Sequence, residues 1–141
     1  MKAKKLIIAI IAALSFTAAA NAQTDLPVSN GYDVFNPIAK YIRLGDVEKL
    51  SAWFSDNLEI TVLSATNDAS KSQAKQILKS FFDTYTPHAF EIEHTAGRDA
   101  MKYALGTLKA GGDVFQVTIF VSLQGSNYLY LIQQIKIEKL D

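Results

Sequence analysis

His88 and His94 are the chain's two histidines, and both fall on one stretch of alternating polar and apolar residues. A shared metal ion is the first chemistry they suggest, and spacing excludes it. Six positions along a strand separate them by roughly 20 Å at about 3.3 Å per residue. There is no cysteine, so thiolate ligands, disulfides and a cysteine nucleophile are absent too. An isomerase-type pair needs a base and a hydrogen-bond donor for a developing oxyanion, and His94 with Tyr103 would supply both. The carboxylate that such sites commonly use is missing, because Glu59, Glu91 and Glu93 have outward parity. Asp33 and Asp99 read as capping or turn residues. Ser51, Ser55 and Ser64 have no histidine at a pairing spacing, and no helix follows Gly111-Gly112 to make it a phosphate loop. No residue is therefore assigned as catalytic, and no metal or cofactor is expected.

The elements that must position His94 and Tyr103 follow from periodicity. Val34, Phe35, Ile38, Tyr41 and Ile42 mark one face of a helix ending at Gly45-Asp46, and Asn36-Pro37 points to a start later than that pattern. A second helix carries Val47, Leu50 and Phe54 on one side with Trp53 beside them, and Asp56-Asn57 breaks it. Leu58 to Leu63 alternates as a strand, and a polar loop runs from there to Ala69. Ser70 and Gln73 have capping-box spacing ahead of a third helix, with Ala74, Ile77, Leu78, Phe81 and Tyr85 on its buried stripe. Lys71, Lys75 and Lys79 form its solvated face. Four strands follow, His88–Thr95, Met101–Lys109, Asp113–Leu123 and Tyr128–Glu138, joined by connections too short for anything but antiparallel neighbours.

Register follows from keeping apolar faces together. A three-residue turn at Gly125-Ser126-Asn127 pairs Val121 with Leu131, Val117 with Ile135 and Phe115 with Ile137. A three-residue turn at Ala110-Gly111-Gly112 pairs Leu105 with Val117 and Tyr103 with Ile119. Aligning Ile92 with Leu105 then sets His94 opposite Tyr103. The inner face acquires a polar row, His94–Tyr103–Ile119–Gln133, beside the apolar row Ile92–Leu105–Val117–Ile135. The outer face acquires an apolar island of Phe120, Tyr130 and Ile132 among charges, which suits a homodimer contact.

Residues 1–22 read as a secretory signal peptide: Lys2, Lys4 and Lys5, then apolar Leu6 to Leu14, then Ala20-Asn21-Ala22 as the cleavage site. That run is short of the roughly 20 residues a membrane span needs. The mature chain is expected to begin at Gln23, to be exported to the periplasm or medium, and to have no membrane partner after cleavage. A leader over 23–32 precedes a single domain over 33–141. Three of the 14 basic residues leave with the signal, so 11 face 14 acidic ones, a net charge of −3. Without a basic cluster the chain is a poor partner for nucleic acid.

Three N-terminal helices on a curved antiparallel sheet, in the order α-α-β-α-β-β-β-β, form an α+β roll. The order resembles the nuclear transport factor 2-like (cystatin-like) superfamily. Within it the chain is similar to a family of small exported bacterial proteins of unknown function. The resemblance rests on Gly45-Asp46 before Leu50, Ser72-Gln73-Ala74 leading to Ile77-Leu78 and Phe81-Phe82, then Phe90, His94 and Gly97, the Tyr103–Leu108 strand, and Ile132-Gln133-Gln134-Ile135. It implies a cone with an inner pocket and no assigned activity. The expected function is a non-enzymatic binding or interaction module. Its pocket for a small-molecule ligand, between sheet and helices, is lined by His94, Tyr103 and Gln133, with Trp53 and Tyr41 as helix-side walls. The alternatives are an isomerase- or dehydratase-like cavity enzyme using His94 and Tyr103, and an interaction module using the outer sheet face. A sealed network of the same three polar residues is the competing account of the inner row.

Overall fold

The apolar stripe Val34, Phe35, Ile38 and Ile42 is buried on one side of α1 (Phe35–Leu44), which a 3-10 turn over Tyr32–Val34 leads into. The computed structural model describes residues 32–124 and 129–140. Helix α1 starts at Phe35, before the proline. Pro37 lies in the first turn, where its missing N–H leaves no bond unmade. Gly45, at φ 68°, ends the helix, its N–H donating to the Ile42 carbonyl at 3.1 Å while that of Asp46 reaches Tyr41 at 2.9 Å. The Asp46 carboxylate then accepts from the Lys49 N–H and caps α2 (Val47–Leu50).

The second helix is shorter than its apolar pattern. A 3-10 turn over Ser51–Trp53 hands the chain to β1 (Phe54–Val62), so Phe54 is a buried strand residue and Asp56-Asn57 lies inside the strand. The segment expected as a polar loop is also a strand, β2 (Ala65–Ser70), folded back on β1 through a two-residue turn at Leu63 and Ser64. Its sequence shows no alternation because it is an edge strand with one buried side chain, Ala69. The capping box holds at the start of α3 (Lys71–Thr84), with Gln73 N–H to Ser70 Oγ at 3.2 Å and Ser70 N–H to Gln73 Oε1 at 3.0 Å. Its lysines face outward, Lys75 meeting Glu48 at 3.1 Å and Lys79 meeting Asp83 at 3.6 Å.

The remaining strands are β3 (Pro87–Arg98), β4 (Met101–Ala110), β5 (Asp113–Gln124) and β6 (Leu129–Lys139). The sheet runs β2-β1-β6-β5-β4-β3, antiparallel throughout except for the seam between β1 and β6, which is parallel. Helices cover one face. Phe81, Tyr85 and Phe115 meet there with ring centroids 5.0–5.1 Å apart, and Phe54, Ile60, Leu108 and Ile132 are fully enclosed.

All three expected registers shift. The turn after β4 has two residues: Ala110 pairs with Asp113, and Gly111 and Gly112 sit at φ 58° and 86°. Positive φ at both central positions matches the twist of a tight hairpin, which a three-residue turn does not need. Gly106 therefore pairs with Val117, and Leu105 moves to the outer face opposite Thr118. Small residues on β4 face inward because large neighbours occupy the space: a Cβ on Gly106 would stand 2.7 Å from the Phe90 ring. On β3 the register slips at Glu93, so Ile92 pairs with Gly106 but His94 with Leu105. On β6 it slips at Gln133: Val117 pairs with Ile137 and Ile119 with Ile135, but Val121 with Ile132. The turn assigned to residues 125–127 lies outside the described residues.

Candidate functional site

The inner face holds no polar row. Its β4, β5 and β6 positions include Ala104, Leu108, Phe115, Val117, Ile119, Ile132 and Ile135, all buried, and its polar members Lys102 and Tyr130 stand at one end. Among the described residues a space of about 10 Å³ between sheet and helices is walled by Ile42, Leu50, Leu78, Phe82, Val117, Ile135 and Ile137. One water would barely fit, and no polar group there would hold it. Among the described residues every buried side-chain nitrogen and oxygen has a hydrogen-bond partner. The expected inner pocket is thus a filled apolar core. Trp53 and Tyr41 are half-buried and pack against that core.

His94 and Tyr103 do meet, but on the face away from the helices. The bulge at Glu93 turns His94 outward, and the tight Gly-Gly turn does the same for Tyr103. Their ring centroids are 6.0 Å apart, and Tyr103 continues to Phe120 at 5.4 Å with the planes inclined by 37°. Phe120 pairs with Gln134, which pairs with Glu59, and the Gln134 amide donates to the Glu59 carboxylate. A single outer strip thus crosses the sheet from aromatic to amide and carboxylate groups. The expected apolar island is dismantled by the same shifts: Tyr130 and Ile132 are 7% and 0% exposed on the inner side, and only Phe120 stays outside. With these registers Gln133, expected in the inner polar row, is the extra residue of a bulge.

That bulge affects two strand pairs at once. Along the parallel seam Phe54 pairs with Ile132 and Glu59 with Gln134, so four residues of β1, Ser55 to Leu58, oppose the single residue Gln133. The strands splay, and the Gln133 amide bridges the gap by donating to the buried hydroxyl of Ser55. Two depressions of about 440 Å³ each open here and share Asn57 and Gln133. One is lined further by Ser55, Asp56, Gln124 and Leu131; the other reaches the start of α3 and is lined by Leu58, Glu59, Asp68, Ala69, Ser70 and Gln73. A larger depression, about 490 Å³, lies at the opposite edge by Arg43, His88, Glu91 and Lys109. Its charges of both signs suit a solvated sheet edge, whereas the notch at Gln133 is a break in the ladder, the feature that re-aims side chains beside sites.

Sequence reasoning missed Lys102. It is 5% exposed on the inner side, its ammonium donating to the Arg98 carbonyl at 2.8 Å and lying 4.8 Å from the Tyr32 ring centroid and 5.8 Å from that of Tyr130. The Tyr130 hydroxyl donates to the Asp99 carbonyl. Together they fasten the β3–β4 turn over one end of the sheet, as cations over aromatic faces do. Parity with Ala104 and Leu108 was the available signal, legible only in the correct register. Among the described residues no three histidine or acidic side chains gather to hold a metal.

A family model described as a domain of unknown function, DUF4783, matches residues 35–138. The crystal structure of a DUF4783 family protein from Bacteroides uniformis superposes with a TM-score of 0.72 at 24% identity, over 77% of this chain and 98% of that one. A domain of unknown function with a cystatin-like fold from Nostoc punctiforme gives 0.60 at 9%, over 76% and 73%. An NTF2-like protein of unknown function from Cytophaga hutchinsonii gives 0.57 at 5%, over 77% and 88%. At such identities the likeness is one of fold, and it agrees with the cone expected from the sequence. No curated protein matches this chain.

Proposed function

The chain belongs to the DUF4783 family, on a cystatin-like, NTF2-like fold, and we propose that it is an exported, non-enzymatic binding module whose site is the outer sheet face at the notch around Gln133. One observation carries this: the polar side chains that would line an internal pocket stand outside, on a face that also carries a break in the hydrogen-bond ladder, while the space between sheet and helices is apolar and filled. Acid–base catalysis by His94 and Tyr103 would need walls that exclude water and hold a substrate in place. His94 is instead exposed on an open face, which favours binding over chemistry. Export rests on the basic start, apolar run and Ala20-Asn21-Ala22 of the first 22 residues.

The test is nuclear magnetic resonance of labelled residues 23–141 against a library of water-soluble fragments. Shifts should cluster at Ser55 to Leu58, Gln133, Tyr103 and Phe120. Clustering at Ile42, Leu78 and Val117, or no perturbation at all, would overturn the reading.

A further inference from the structure

We infer that the notch at Gln133 and the strip beside it bind a neutral carbohydrate chain, an inference that rests on the outer-face site proposed above and names its ligand class. Hydroxyls, amides and carboxylates make up the polar lining of both depressions, from Ser55, Asn57 and Gln133 to Asp56 and Asp68. Among the described residues, neither is lined by lysine, arginine or histidine. A phosphate, sulfate or uronate would meet carboxylates and find no cation in either lining to pair with. An amide both donates and accepts, and a carboxylate accepts at two points. That is the complement of neighbouring sugar hydroxyls, each of which is donor and acceptor together.

The apolar half of the site has matching chemistry. A pyranose ring carries a face of C–H groups, and Tyr103 and Phe120 offer two half-exposed rings side by side, 5.4 Å apart. Leu129 and Leu131 extend the apolar surface into the notch. Tyr103, Phe120, Gln134 and Glu59 are successive partners on four adjacent strands, so the strip is roughly 14 Å long at about 4.8 Å per strand. That length takes a short oligosaccharide rather than one sugar. A cationic peptide fits less well, because Glu59 already accepts from Gln134 and Lys136 stands in the next row, paired with Thr61.

Affinity electrophoresis of residues 23–141 in native gels cast with galactomannan, glucomannan, mixed-linkage β-glucan or starch tests this, with polygalacturonate gels and a spermine titration as charged controls. Retardation is expected in at least one neutral polysaccharide. Asn57→Ala and Phe120→Ala should each weaken it at least tenfold without moving the thermal midpoint, and Lys109→Ala, at the other edge, should leave it intact. Absence of retardation in all four gels, binding of polygalacturonate or spermine alone, or retardation that survives both notch variants overturns the inference. Occlusion of the strip by a second copy, read by sedimentation and loss of Phe120 exposure, overturns it as well. Fragment-induced shifts at Gln133 in a protein that binds no neutral glycan would overturn the carbohydrate class alone and leave the outer-face site standing.

Discussion

Gln133 donates its amide to the hydroxyl of Ser55, a residue only 4% exposed. Replacing it with alanine leaves that hydroxyl without its donor, and we expect a loss of about 1–3 kcal/mol in urea unfolding. His94→Ala is the contrasting case. The imidazole is exposed and its nearest ring, Tyr103, is 6.0 Å away, so stability should stay within about 0.5 kcal/mol of the parent. Had His94 belonged to a sealed inner network, its loss would cost as much as that of Gln133, and measuring both variants in one experiment separates the two arrangements. Lys102→Met should keep the packing over Tyr32 and Tyr130 while removing the bond to the Arg98 carbonyl. Proteolysis at the Asp99-Ala100 turn should then accelerate although the core is untouched.

Among the elements, α3 depends on its first turn: Ser70→Ala removes an acceptor from the Gln73 N–H and should cost about 1 kcal/mol in chemical denaturation. Gly106→Ala tests the β3–β4 seam. Its new methyl would stand 2.7 Å from both the Glu91 carbonyl and the Phe90 ring, so a loss of about 1–3 kcal/mol is expected. An unchanged denaturation midpoint would mean that Phe90 does not lie over this position. Elements of this kind were legible in the sequence wherever local chemistry decides them. The capping box at Ser70, the Gly45 stop, the stripe of α1 and the four strands of the meander all follow from short-range spacing. What was not legible depends on shifts of a single residue. Bulges at Glu93 and Gln133 invert the parity that a pattern reader must assume constant, and both lie in the segments that carried the site. Strand β2 was hidden for another reason: an edge strand with one buried residue gives no alternation to read.

For the whole molecule, the expected processing gives a protein whose intact mass begins at Gln23, cyclised to pyroglutamate, and which is recovered from the periplasm or medium without detergent. A functional form retaining residues 1–22 in the membrane fraction would contradict it. Thermal unfolding should be the same with and without a chelator, because no cluster of three metal-binding side chains exists among the described residues. The place of β6 carries one more implication. It follows every other described strand in chain order, yet it lies in the interior of the sheet, joining β1 to β5. Until residues 129–139 have left the ribosome, β1–β2 and β3–β5 are two separate ribbons with no strand between them. Their union is a long-range pairing, and pairings of that kind form slowly. Before β6 is in place a chain of this design stays extensible, the condition in which a polypeptide can still be threaded through a membrane pore.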